Sequence, residues 1–199
     1  MTTVVTMMAS GRRAETRLRL FGAAVELIAE QGYTATTVDA IAERAGVAKG
    51  TVFYNFGTKE ALFSGLLEHG VGLLSTALSG AAAGETALDA LDAVVMAQLR
   101  FFEEYGAFAR VLLAEMWRTA WQDAVARLRR DVLGVYADVL RRAVAEGAVR
   151  GDLDVETAAT AVFGMVLTVA IERRALHPDR PIERVHATLV DLLHGRVTG

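Results

Sequence analysis

Gly46-Val47-Ala48-Lys49-Gly50-Thr51-Val52-Phe53-Tyr54-Asn55-Phe56-Gly57-Thr58-Lys59-Glu60 decides the fold of this chain, because it holds a helix-ending glycine, a short helix and a further helix start. Just upstream, Val38, Ile41, Ala42 and Ala45 fall at helical spacing on one face, so this stretch reads as a two-turn helix. Thr37 is placed to cap it: its hydroxyl can accept from an orphan amide of the first turn, and Asp39 suits the positive end of the helix dipole. Gly46 ends the helix, since glycine enters the left-handed region without a Cβ clash and turns the chain into a crossing helix. Small Ala42 and Ala45 let that crossing be close.

The second helix, roughly Lys49 to Tyr54, is too short to be stable alone, so Val47, Val52 and Phe56 must fix it by packing. In helix-turn-helix docking the N-terminal residues of this second helix enter the DNA major groove. Gly50 would then allow close approach to a base edge or thymine methyl, Thr51 could donate or accept there, and Tyr54 and Asn55 could reach phosphates. Gly57-Thr58-Lys59-Glu60 reads as the next helix start with Thr58 as N-cap, and a helix N-terminus assisted by Lys59 suits an anion. Lysine occurs only at Lys49 and Lys59, so both ammonium groups of the chain fall in this segment. A glycine turn between amphipathic helices is common in helical proteins; the placement of the lysines and aromatics sets this one apart.

The run from about Phe21 to Leu67 resembles the DNA-binding domain of the TetR family of one-component transcriptional regulators. The resemblance is carried by Ala23-Ala24-Val25-Glu26-Leu27, Gly32-Tyr33, Thr37-Val38, Ile41-Ala42, Ala45-Gly46-Val47, Lys49-Gly50-Thr51, Tyr54, Phe56 and Lys59-Glu60-Ala61-Leu62, in order and spacing. Two positions depart from the pattern. Ala48 stands where a serine usually caps the recognition helix, which removes a phosphate contact, and Phe53 stands where tyrosine is common, which removes a phenol and is expected to keep the packing. The resemblance implies an all-α chain with an N-terminal arm and DNA-binding head over residues 1–57 and an effector-binding and dimerisation body over 58–199. It further implies a repressor that binds a palindromic double-stranded operator as a homodimer and is released by a small-molecule effector, and the apolar and aromatic residues of the body suggest that the effector is hydrophobic. The alternative is a regulator with no small-molecule effector, controlled by a protein partner or acting constitutively. The expected DNA contacts are Thr37, Lys49, Gly50, Thr51, Tyr54, Asn55, Thr58 and Lys59.

Composition agrees with a helical chain: among 199 residues, proline occurs only at Pro178 and Pro181. The net charge of −3 means that attraction to DNA must come from a local patch. Arg12, Arg13, Arg17 and Arg19 add positive charge near the N-terminus, either as an arm toward the minor groove or as a solvated leader. The absence of cysteine excludes disulfides and thiolate metal sites. His177, His186 and His194 are scattered without a partner pattern, so neither an enzyme nor a metal or cofactor site is expected. No secretory signal is apparent, and the apolar stretch from Ala158 to Ile171 is too short for a bilayer, so a soluble, cytoplasmic protein with no membrane partner is expected.

Helices are expected over about Arg13 to Gln31, Thr37 to Asn55 as the helix-turn-helix, Thr58 to Leu78, Thr86 to Tyr105, Ala107 to Thr119, Gln122 to Glu146, Val155 to Ala175 and Pro181 to Gly195. The last two carry broad apolar stripes: Val155, Ala159, Val162, Phe163, Val166 and Ala170 on one, and Ile182, Val185, Leu189, Leu192 and Leu193 on the other. Their breadth suggests a symmetry mate, as the family's C-terminal four-helix dimer bundle would supply; ordinary intrachain core is the other reading. The candidate effector pocket draws on His69, Met96, Phe101, Tyr105, Met116, Trp117, Trp121, Tyr136 and Phe163, a set that would equally serve as core.

Overall fold

The computed structural model describes residues 2–115 and 121–195, with side chains from residue 12, and all regular structure among these residues is helical. Helix α1 (Thr2–Ala35) begins well ahead of the expected start near Arg13 and is interrupted at Gly32, whose φ of 82° lies outside the helical region. Helices α2 (Val38–Ala45) and α3 (Lys49–Phe56) form the helix-turn-helix. Thr37 caps α2, its hydroxyl accepting from the Ala40 amide at 3.1 Å. At the other end Gly46 adopts φ 64°, and the Val47 amide reaches back to the Ala42 carbonyl at 3.0 Å. This closure puts the next residues on course for a crossing helix. Ala48 offers α3 no side-chain cap, as its methyl group dictates.

Helix α4 (Lys59–Ala81) starts on Thr58, whose hydroxyl accepts from the Ala61 amide at 3.0 Å. It leads into the body: α5 (Ala87–Glu104), α6 (Gly106–Glu115), α7 (Gln122–Leu128), α8 (Gly134–Ala145), α9 (Val155–Leu176) and α10 (Ile182–Leu193). The segment from Gln122 to Ala145 is continuous helix as expected, except that Arg129–Leu133 forms a π turn. Ser75 of α4 donates to the Asp131 carbonyl in that turn at 2.8 Å. Buried apolar residues form one connected core, from Leu20 through Leu62, Leu74, Val94 and Phe102 to Val166, and it crosses the expected 57/58 boundary without a break.

Two expectations fail here. Ala159, Val162, Phe163, Val166 and Ala170 of α9, with Val185 and Leu189 of α10, are buried within the single chain. They pack against the body's other helices, so the apolar stripe proposed as a dimer face is intrachain core. Of that set Val155 is half-buried and Leu192 exposed, and Val185 and Leu189 also form the floor of a shallow groove between α9 and α10. Likewise Tyr136 is wholly buried: its hydroxyl donates to Gln98 Oε1, and Gln98 Nε2 donates to the Phe163 carbonyl at 3.0 Å. Burial pushes the phenol's pKa up. With Phe163 stacked edge-on to Phe102, both residues belong to the core and not to a pocket wall.

Helices α4 and α9, at 23 and 22 residues, are long and apolar enough to cross a membrane by length and composition alone. The apolar run in α9 is therefore longer than the expected Ala158 to Ile171, and its length does not exclude a bilayer. What speaks against a bilayer is packing: eight residues of α4 and seven of α9 are buried against other helices.

The junction between α4 and α5 is held by Arg142, which donates to the Gly84 and Glu85 carbonyls at 3.0 and 2.5 Å, and by Glu146, which accepts from the Ala87 amide at 2.8 Å and from Arg142 at 2.7 Å. The Ala87 amide foremost, and then Arg142, hold the Glu146 carboxyl below its usual range. Because its folded-state pKa is lowered, this contribution is complete above the usual carboxylate range and is lost as the pH falls through the lowered value. Thermal midpoints of the parent should therefore drop more steeply than those of Glu146→Gln as the pH falls below the usual carboxylate range.

Candidate nucleic-acid interface

The outward face of α3 carries Lys49, Gly50, Phe53 and Tyr54, while Val52 and Asn55 point inward. Tyr54 is 75% exposed, with the Arg13 guanidinium 5.4 Å from its ring centre. Phe53 is 45% exposed, so the expectation that it keeps a packing role fails. It stands one turn along from Lys49 and Gly50 on the same face, a position that helical spacing within the quoted stretch already marks. A Cβ built on Gly50 meets nothing within 4 Å, so the space above it is open to a partner. Thr51 is half-buried at the edge of this face, and Thr37 and Thr58 are exposed at the helix starts that they cap.

Two of the expected phosphate contacts are corrected. Asn55 is 8% exposed, and its Nδ2 donates to the Thr51 carbonyl at 2.8 Å. Its side chain closes the inner side of α3 and cannot reach a backbone outside. Lys59 Nζ donates to the Tyr33 and Thr36 carbonyls, both at 3.0 Å, and sits 4.1 Å from the centre of the Tyr33 ring. It thereby closes the end of α1 beyond the interruption at Gly32. Lys49 is different: its ammonium meets only the exposed Asp39 carboxylate, at 2.9 Å.

Two arginines of α1 act similarly to Lys59. Arg19 Nη2 donates to the Ala45 carbonyl at 2.5 Å and to the Gly46 carbonyl at 3.3 Å, binding the end of α2. Arg17 Nη1 donates to the Asn55 carbonyl at 3.1 Å, and its guanidinium lies 4.3 Å from the centre of the Phe56 ring. Only Arg12 and Arg13 of the four remain as an outward basic pair.

A cleft lies where head and body meet, between α1, α4, α5 and α6. Its inner part, about 190 Å³, brings together His69, Phe101 and Tyr105 of the expected effector set, with Phe21, Phe108 and Gly22 among its other walls. It shares Leu18, Phe21, His69 and Leu73 with a wider outer part of about 510 Å³, where Arg17, Glu68 and Arg127 stand. Met96 is half-buried on α5 and does not line either part. Trp121 is buried elsewhere, edge-on to Tyr33 and Phe63 with ring centres 5.1 and 4.5 Å away. Met116 and Trp117 lie outside the described residues.

Residues 20–66 match the sequence profile described as bacterial regulatory proteins, tetR family, and residues 84–171 match that of the tetracyclin repressor-like C-terminal domain. The probable HTH-type transcriptional regulator ArpR of Pseudomonas putida is 31% identical over 175 residues, 83% of this chain and 82% of the relative. This chain belongs to the TetR family. It is a DNA-binding transcriptional regulator and not an enzyme. A Bacillus subtilis regulator, YerO, is 24% identical over 93% of this chain, which spans 65% of that relative's length. Among solved structures, the regulator FadR of Bacillus subtilis in complex with stearoyl-CoA superposes with a TM-score of 0.79 at 22% identity, over 90% of this chain and 98% of that one. The ketosteroid regulator KstR2 of Mycobacterium tuberculosis gives a TM-score of 0.70 at 25% identity, over 94% and 95%.

The clamp on α1 makes a stability prediction that a phosphate ligand would not. Lys59→Ala should lower unfolding stability by about 1–3 kcal/mol, because two backbone carbonyls lose their donor. Urea titration of the DNA-free protein is the check, and an unchanged midpoint would show that the ammonium is free for DNA.

Proposed function

We propose that this TetR-family chain is a repressor whose dimer reads a palindromic operator and is released by a small hydrophobic effector. The observation that carries the DNA-reading half is the outward face of α3, where Lys49, Gly50, Phe53 and Tyr54 stand clear of the core. Lys49 and Tyr54 take phosphates, with Thr37 and Thr58 at the flanking helix starts, and Gly50, Thr51 and Phe53 face base edges. Phe53 adds an apolar surface suited to a thymine methyl. Bacterial regulators of this family support a cytoplasmic setting.

For the dimer, the buried stripe leaves the opposite face of α9 and α10. Ala161, Thr168 and Leu192 are exposed there, with Met165 and Val169 half-buried. A shallow groove between the two helices runs past Val169, Thr188 and Leu192, flanked by Glu172 and Arg184. An isologous contact on this face places two short recognition helices on successive major grooves. The effector half is supported by the relatives, one solved with stearoyl-CoA, whose acyl chain is apolar, and another named for ketosteroids.

Lys49→Ala and Tyr54→Ala should weaken binding to all duplexes alike, with the salt slope shrinking by about one per lost phosphate contact. Replacing Gly50 or Thr51 should instead change which duplex is preferred, at roughly 1–3 kcal/mol per wrong contact. Selection from a random duplex pool checks both, and an unaltered preference after Gly50→Ser and Thr51→Val would remove the base-edge assignment. Met165→Asp should yield a folded monomer with reduced operator affinity, read by light scattering, since it places an unpaired carboxylate in the contact. A dimer that persists in Met165→Asp would place the interface elsewhere.

A further inference from the structure

We propose that the cleft between α1, α4, α5 and α6 is the effector site, that it takes a planar aromatic molecule, and that its occupant acts on the recognition helix directly through Phe21. The proposal rests on the effector-released reading above and names the place and the route.

The route follows from what the cleft shares with the head. Phe21 forms a wall of both its parts, with His69 stacked on one side at 5.4 Å and an interplanar angle of 27°. On its other side the Phe56 ring, at the end of α3, lies 5.3 Å away. Phe21 has little room to yield toward α4: a Cβ on Gly65 would stand 3.3 Å from its ring and 3.6 Å from that of Phe56. A molecule that pushes on Phe21 therefore pushes on Phe56. The Arg17 guanidinium, which walls the outer cleft, covers the same Phe56 ring and holds the Asn55 carbonyl. Occupancy and the seating of α3 thus draw on the same three side chains.

The ligand class follows from the walls. Phe21, His69, Phe101, Tyr105 and Phe108 present five rings to the inner part, and Phe101 and Tyr105 already pair at 4.6 Å. Such walls favour offset or edge-on stacking against another ring. Leu18, Leu73 and Tyr105 are exposed apolar groups at the mouth, which an occupant would cover. The outer part offers Glu68 and Arg127, 3.8 Å apart and already paired, so a neutral polar end suits it better than a strong anion.

Gly22 is the independent observation. It lies inside α1 and lines the inner cleft, yet a Cβ there would meet nothing within 4 Å. Glycine in a helix interior is destabilising relative to alanine. Neither backbone angle nor packing within the chain requires it, and a side chain at this position would occupy the cleft.

The test uses aminoanthracene, a neutral planar probe that fluoresces in apolar surroundings, and a duplex that the parent protein selects from a random pool. The parent should bind the probe saturably. Saturating probe should lower affinity for the duplex at least fivefold, and the duplex should lower probe affinity by the same factor. Gly22→Leu should match or exceed the thermal midpoint of the parent, since it replaces a helix-interior glycine, and lose probe binding at least tenfold, with Gly22→Ala between. Phe56→Leu should keep probe binding and shrink the effect of probe on duplex. Parent-like probe binding in Gly22→Leu, or no saturable binding by the parent, would overturn the site. Probe binding that Gly22→Leu abolishes but that leaves duplex affinity untouched would overturn the route through Phe21. Failure to select any duplex would overturn the regulatory reading itself and the coupling with it, while the Gly22→Leu titration still decides the site.

Discussion

Two eight-residue helices cannot hold themselves together in water, and the head depends on how their carbonyl ends are closed. Three cations do this work from neighbouring helices: Arg19 at the end of α2, Arg17 at the end of α3 and Lys59 at the end of α1. Each is a charge-assisted bond to a carbonyl, stronger than a neutral hydrogen bond. Arg19 and Arg17 tie the two short helices to α1, and Lys59 ties α4 to the end of α1, so the angle between α2 and α3 is inherited from α1. The aromatic set of Tyr33, Phe63 and Trp121 repeats that tie at the body end of the head.

That use of cations limits the electrostatics of DNA binding. With a net charge of −3, the chain has no general attraction for a polyanion, and three basic residues of the head are committed to its own backbone. Lys49, Arg12 and Arg13 are left on the outer surface. Arg44 does not join them, because Glu26 and Glu30 hold it at 3.2 Å. Affinity must then lean on hydrogen bonds, helix starts and the two exposed aromatics of α3 as much as on charge.

The fold was legible because its signals are local. Thr37, Gly46 and Thr58 act at the places where spacing and capping chemistry put them, and the helix order follows. The site was only half legible. Whether Lys59 points at a phosphate or at the Tyr33 carbonyl depends on where α1 ends in space, 26 positions earlier in the chain, and no local pattern carries that. Asn55 lies on the side of α3 that also buries Val52, and its Nδ2 donates to the Thr51 carbonyl. The stripes of α9 and α10 failed for a different reason: periodicity shows that a face is apolar, not which neighbour covers it. Phe53 was the avoidable miss, since its spacing from Lys49 and Gly50 already placed it outward.

The two lysines show how magnitude separates a structural from a recognition role. The Lys49–Asp39 pair is exposed on both sides, and such pairs contribute about 0–1 kcal/mol, so exchanging the carboxylate for a phosphate costs the fold little. Releasing Lys59 would leave two carbonyls at a half-buried helix end without a donor, at a cost of about 1–3 kcal/mol. One phosphate contact recovers at most a similar amount, so the exchange gains nothing. Lys49 is therefore the lysine that the fold can release at little cost. Asp39, left behind at the N-terminus of α2, keeps the helix dipole as its compensation.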